Sequence, residues 1–325
     1  MSTRRPFRHG DARARLMRRA IRLEAITIAG MLSVIAVVGL TMGSSQAMKT
    51  AWIEDLLSLV PPIAFLLSAP VRRRDPSHRF PFGFHRAGHI AFLAASTALL
   101  MFGLFLLYES VMTLVKQEHA TIGTTVILGH QLWAGWLMIA ALVYSMIIPV
   151  TLGRLKLPLA HQLHEKVLYT DAQMNKDDWL TAGAAILGIL GIGMGWWWAD
   201  ALASGVISLE VTTDGARNLK RVVFDLMDAR PTTPEGQPET ALESRILAAV
   251  RDLPWVTDAE GRFREEGSLV TGIVFAVPID EQHPIARMRL ATAAAEQADW
   301  RCHDIHVILV SSQDLHHSHR ADAED

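Results

Sequence analysis

The sequence predicts an α-helical membrane protein: six transmembrane helices followed by a small C-terminal α+β domain. Three observations lead there. Half of the 325 residues are hydrophobic and the mean hydropathy is +0.22, too apolar for an ordinary soluble chain. Apolar windows recur at about 25–43, 51–69, 88–115, 132–153, 168–197 and 199–216, each close to the roughly 20 residues that cross a bilayer. After Asp228 the composition turns polar through DARPTTPEGQPET, a Pro-, Gly- and Thr-rich connector that cannot continue a helix. The chain therefore divides into a basic arm (1–24), a transmembrane domain (25–227), a linker (228–239), an α+β domain (240–312) and a His-rich tail (313–325).

The arm, MSTRRPFRHGDARARLMRR, precedes the first apolar run, which is long enough to span. An uncleaved first helix therefore fits better than a signal peptide. Span two carries Pro61-Pro62, which frees backbone carbonyls and should kink it. Basic residues gather in the arm, in the loop after span two (Arg72, Arg73, Arg74, Arg79, Arg86), after span four (Arg154, Lys156, Lys166) and after span six (Arg217, Lys220, Arg221). The other loops are nearly free of base, so the positive-inside rule puts both termini in the cytoplasm, and the chain reads as a multi-pass inner-membrane protein.

Beyond the linker, helical periodicity over Thr240 to Leu253 and Ile285 to Ala298 alternates with strand-like stretches at Trp255–Phe263, Ser268–Val277 and His303–Val310. A single cysteine, Cys302, excludes an intramolecular disulfide framework and CxxC metal ligation. No Ser/His pair, HExxH or phosphate-binding glycine loop has usable spacing, so an enzyme is not expected. The formal net charge of −2 gives no basis for a nucleic-acid partner.

The order of parts resembles the cation diffusion facilitator family of divalent-metal transporters. The likeness rests on GSSQAM before span two, RFPFGFHRAG after it, LYES near the end of span three, WADALASGVIS opening span six and LMDARPT at its exit. It implies six spans, a cytoplasmic C-terminal domain of ferredoxin-like, metallochaperone-like fold, a homodimer, and export of a divalent cation in exchange for protons. The family's transport site pairs i,i+4 ligands on spans two and five, so two helices surround one ion. Carried over, those positions are Glu54, Ser58, Met174 and Asp178. Only the two acids are good ligands, since a hydroxyl and a thioether suit zinc poorly. Asp55, Asp171 and Asn175 are the substitutes nearest at hand, and an oxygen-rich cage of that kind suits manganese, magnesium or ferrous iron. The cargo stays open among zinc, manganese, iron and cobalt, and no cofactor is expected.

Ionisable residues in a span cost about 2.5–3.5 kcal/mol at its centre, so they usually mark a pathway. For Ser58 the rival role is a hydrogen bond to the carbonyl four residues back, for Met174 core filling, for Asp55 a neighbouring helix or the headgroups. Glu210 reads either as a proton relay or as a snorkelling acid. The resemblance also implies an ion pair between Arg86 and Asp228 linking the two halves of a dimer. It implies a loop histidine directly after Phe82-Gly83, where this chain has Phe84, then His85, with His78 and His89 nearby. His283, His303, His306 and the tail's His316, His317 and His319 are further metal donors. The rival to transport is a family member that has lost it and serves as a membrane dimerisation scaffold or regulatory partner.

Overall fold

The structure, a computed structural model, describes residues 11–72, 74–118, 120–127, 130–280 and 282–314. The first ten residues of the basic arm, Arg73, and the tail histidines His316, His317 and His319 lie outside them. The chain forms two compact units: a helical one carrying the apolar segments, and one that comprises the loop up to Arg86 and everything from Phe224 onward.

The helical unit contains α1 (Asp11–Thr41), α2 (Gln46–Leu57), α3 (Val60–Arg72), α4 (Ala87–Val115), α5 (Ala134–Leu163), α6 (Lys166–Gly193) and α7 (Ala199–Leu226). Between α4 and α5 lies an antiparallel hairpin, β1 (Thr124–Ile127) with β2 (His130–Trp133). Among the described residues, four segments are long and apolar enough to cross a membrane: Ala12–Thr41, Gln46–Arg72, Ala87–Val115 and Ala134–Leu163. The two remaining expected spans are helices of 28 residues each, α6 and α7. They fall short on composition because α6 carries Asp171, Lys176, Asp177 and Asp178, and α7 carries Asp200, Glu210 and Asp214.

Several boundaries differ from the sequence expectation. Helix α1 begins at Asp11, so much of the basic arm is helical. Arg, Leu and Ala are good helix formers, and an apolar helix behind them is an existing nucleus to propagate from. Helix α5 runs on to Leu163, which places Arg154 and Lys156 in the helix rather than in a loop. Pro149 and Pro158 do not end it, a tolerance expected where neighbouring helices re-satisfy freed carbonyls. The helix stops at His164, whose left-handed backbone (φ 51°) returns its amide to the carbonyls of Ala160 and His161.

The expected kink in span two is a break. Ser58 caps α2, its amide bonded to the Glu54 carbonyl at 2.8 Å, and α3 restarts at Val60. Pro61 and Pro62 have no amide to return to Leu57 and Ser58, so the ladder cannot continue through them. They fit the first turn of α3, where amides would be unpaired anyway.

The core of this unit joins Val34 and Val38 of α1, Met48 and Ala51 of α2, Leu99 of α4, Leu142 of α5, Ile189 of α6 and Ile207 of α7. Outward faces stay apolar, as lipid requires: Leu67, Phe105, Trp136, Ile147, Leu187 and Val206 are exposed. Gly153 lets α5 and α6 touch, because a Cβ there would come within 2.7 Å of the Ala172 carbonyl oxygen.

In the second unit, α8 (Thr240–Arg251), β3 (Val256–Glu266), β4 (Leu269–Pro278), α9 (Pro284–Gln297) and β5 (Cys302–Leu309) follow the predicted order. The sheet order is β3-β4-β5; β3 and β4 are antiparallel, β4 and β5 parallel. The parallel pair needs a crossover, which α9 supplies. Leu242, Ile246 and Val250 of α8 and Ala291 and Ala295 of α9 pack on Ala259, Phe263, Val270, Val274, Ile305 and Val307 of the strands. Arg301 is buried beneath the sheet edge, paired with Glu239 and, at 2.6 Å, with Glu265, while its Nε donates to the Ser268 carbonyl at 2.9 Å. The linker is ordered by a bridge between Thr232 and Pro238.

Candidate cation site

The resemblance motifs meet one another inside the helical unit. Ser45 of GSSQAM caps α2 by accepting from the Met48 amide at 3.1 Å, and its hydroxyl donates to Asp200 of WADALASGVIS at 2.6 Å. Asp200 also accepts the Gln46 amide at 2.5 Å, so the first turn of α7 is pinned to the start of α2. Lys49 pairs with Glu109 of LYES at 2.5 Å, and a hydroxyl chain runs Thr50–Ser204–Ser110 at 2.7 and 2.5 Å. These contacts fix the rotation of α2 against α4 and α7, and so decide which way the residues one turn further along α2 point.

Those residues are Glu54 and Asp55. Together with Ser145 of α5 and Asp178 and Thr181 of α6 they line a cavity of about 10 Å³, completed by Ala51, Leu142 and Ala182. That is about the space of one water-sized sphere. Thr181 donates to Glu54 Oε1 at 3.0 Å. Glu54 Oε2 and Asp178 Oδ2 are buried with no hydrogen-bond partner. Asp55, Asp178 and Glu210 are the charged neighbours whose fields act on Glu54; Asp55, Asp171, Glu210 and Lys156 act on Asp178. Acids dominate around both carboxylates, so the cavity carries a negative potential.

The four positions carried over by resemblance do not all converge. Glu54 and Asp178 share the cavity, and Asp55 joins them. Met174 instead packs against the main core and lines a separate small cavity with Leu57, Pro61, Phe92, Thr170 and Asn218. Ser58 is buried at the end of α2 and lines neither space. The Ser58 misplacement has a local cause. An i,i+4 pair shares a face only while the helix is regular, and α2 stops at Leu57.

Asp171 is engaged elsewhere, and Asn175 lies beside it with its Oδ1 buried and without a hydrogen-bond partner. The ammonium of Lys156 contacts Asp171 and lies 3.3 Å from Glu24, and Asn175 Nδ2 donates to Asp171 Oδ1 at 3.2 Å. Lys156 and Glu24 are 0% exposed and Asp171 2%. The sequence reading missed this cluster because it took Lys156 for a loop base and Glu24 for the end of an arm. The available signal was helical phase: Lys156 lies on the same side of α5 as Gly153 and Leu152, three and four residues back.

Arg86 does bond Asp228, as the resemblance implies, but the pair is formed within one chain. Arg86 also donates to the Leu226 carbonyl at 3.2 Å, and Arg264 of β3 reaches Asp228 at 3.2 Å and Glu266 at 3.1 Å. Asp228 sits in the left-handed region (φ 61°) just past α7, which turns its carboxylate back toward both arginines. The pair thus ties the loop after α3 to the segment that follows α7. His85 packs edge-on against His303 with ring centroids 5.9 Å apart, and Glu210 is half-buried on α7.

Membrane-length apolar helices packed around a small acidic cavity define an integral membrane protein. Residues 23–227 match the family model of the cation efflux transmembrane domain, which spans more than half of the sequence, and the chain belongs to that family. It is a metal-cation transporter of the cation diffusion facilitator type, and members of the family are not enzymes. A search of curated proteins finds no individual match.

Proposed function

We propose that this chain exports a divalent metal cation from the cytoplasm in exchange for protons, working as a homodimer in the inner membrane with both termini cytoplasmic. In this reading α6 and α7 also cross the bilayer, giving six crossings. Their length and the exposed Leu187, Leu202, Val206 and Leu209 support that, with the polar residues turned toward the bundle.

The observation that carries the proposal is the pair of buried, unpartnered oxygens, Glu54 Oε2 and Asp178 Oδ2, in one cavity between the second and fifth crossings. A carboxylate left without a donor inside a protein is costly, and a cation removes that cost. Protons and metal compete for the same oxygens, so protonation releases the ion and deprotonation admits it. Cargo contacts come from α2 and α6, so alternating access requires these helices to move against their neighbours. The break at Ser58–Leu59 gives α2 a joint at which to do so.

The test uses the full chain in liposomes with a metal-sensitive dye inside and a proton-sensitive dye outside. Asp178→Asn is expected to abolish metal-dependent proton movement. Unchanged flux would remove the site from α6. The scaffold alternative predicts a parent protein with neither flux nor divalent-cation binding in the membrane domain.

A further inference from the structure

Resting on the reading of this cavity as the cargo site, we infer that the cargo is a small, hard divalent cation bound through oxygen alone, of the Mn²⁺ and Mg²⁺ class, and that Ser145, not Met174, sets this selectivity. Every polar side chain at the cavity ends in oxygen: the carboxylates of Glu54, Asp55 and Asp178 and the hydroxyls of Ser145 and Thr181. Its remaining lining is aliphatic. The thioether that the family alignment would bring in, Met174, borders a different cavity.

Oxygen-only sites suit Mg²⁺ and Mn²⁺. Nitrogen and sulfur donors create most of the advantage of zinc. The space of about 10 Å³ accepts a small ion stripped of most of its water, a demand that Mn²⁺ meets more readily than Mg²⁺, which gives up its water reluctantly. Helix α5 contributes in a second way. Pro149 lacks the amide that would bond the Ser145 carbonyl, so at one residue the backbone has an oxygen without its helical donor and the side chain has a hydroxyl at the cavity. The Ser145 hydroxyl donates to the Leu142 carbonyl at 2.9 Å, which leaves its lone pairs for a cation.

The experiment measures Mn²⁺ binding by electron paramagnetic resonance on the full-length protein in nanodiscs, with displacement by Zn²⁺ and Mg²⁺. Three proteins are compared: the parent, Ser145→Cys and Met174→Cys. Ser145→Cys is nearly isosteric and places one thiol in the cavity; Met174→Cys places one at the family's position. The native Cys302 adds no signal, since it is buried and its thiol is pushed up to about 11. The parent is expected to hold Mn²⁺ with an affinity within about tenfold of Zn²⁺, Ser145→Cys to shift that ratio toward Zn²⁺ by at least about tenfold, and Met174→Cys to leave it unchanged. Two results overturn the inference while leaving the transporter reading intact: a parent that prefers Zn²⁺ by about a thousandfold, or a shift with Met174→Cys and none with Ser145→Cys. A parent that binds none of the three ions in its membrane domain overturns the cargo site itself, and the inference with it.

Discussion

Replacing Lys156 by Met isolates the energetic role of the buried charge cluster. In the parent, one ammonium with no solvent exposure faces the carboxylates of Glu24, also unexposed, and Asp171, 2% exposed, on two other helices. Methionine keeps most of the volume and removes the charge. Two carboxylates are then left in a dry interior, with Asn175 the remaining donor to Asp171. Removing one partner of a buried ion pair costs about 3–5 kcal/mol, because the other charge is stranded. Replacing every member by neutral groups of similar shape is close to neutral. Lys156→Met alone should therefore lose about 3–5 kcal/mol, and the triple variant with Glu24→Gln and Asp171→Asn should recover most of it. Denaturant unfolding in mixed micelles, followed by tryptophan fluorescence, measures both. A Lys156→Met protein within about 1 kcal/mol of the parent, or a triple variant no better than the single one, would refute this account of what joins α1, α5 and α6.

Four further outcomes are expected. Thr181→Val removes the hydrogen bond to Glu54 Oε1, so cation affinity measured by calorimetry should change several-fold while the fold stays intact by circular dichroism. Arg301→Met removes the buried guanidinium that pairs with Glu239 and Glu265, and the C-terminal unit should lose about 3–5 kcal/mol, read by hydrogen exchange in β3 and β5. Arg86→Ala touches a pair that is a third or more exposed on both sides, so its stability cost should stay below about 1 kcal/mol in the same unfolding assay. Cys302 is the clearest pH probe. Burial lifts its thiol from 9.0 to about 11, so the reactive thiolate is about a hundredfold scarcer below pH 9 than for a free thiol. Maleimide labelling of the folded protein should be slow near neutrality and rise about tenfold per pH unit toward 11; rapid labelling at pH 7 would mean that β5 opens.

Much of the architecture was legible because it follows from local chemistry. Apolar runs of membrane length became helices, Pro61-Pro62 broke the second one, and DARPTTPEGQPET ended the helical part of the chain ahead of α8. The two helices and three strands of the C-terminal domain lie within a few residues of their periodicity. What misled was the assumption that polar means loop. Lys156 looked like a cytoplasmic base, yet it has no solvent exposure, because Glu24 of α1 and Asp171 of α6 meet it. No local pattern records a partner more than a hundred residues away.

The candidate site divides in the same way. The sequence alone determined that carboxylates stand in or beside two apolar segments, at Glu54, Asp55 and Asp178, since ionisable residues there need no partner to be noticed. Tertiary structure decided which of them meet. Regular i,i+4 spacing would bring Ser58 and Met174 to the ion, but the helix break after Leu57 and the packing of α6 on α5 at Gly153 turn Met174 into another space and bring Ser145 and Thr181 in instead. The physical reason is that a sequence fixes the angular position of a residue on its own helix, whereas the rotation of one helix against the next depends on contacts such as Ser45 with Asp200 and Thr50 with Ser204, which exist only once the bundle has closed.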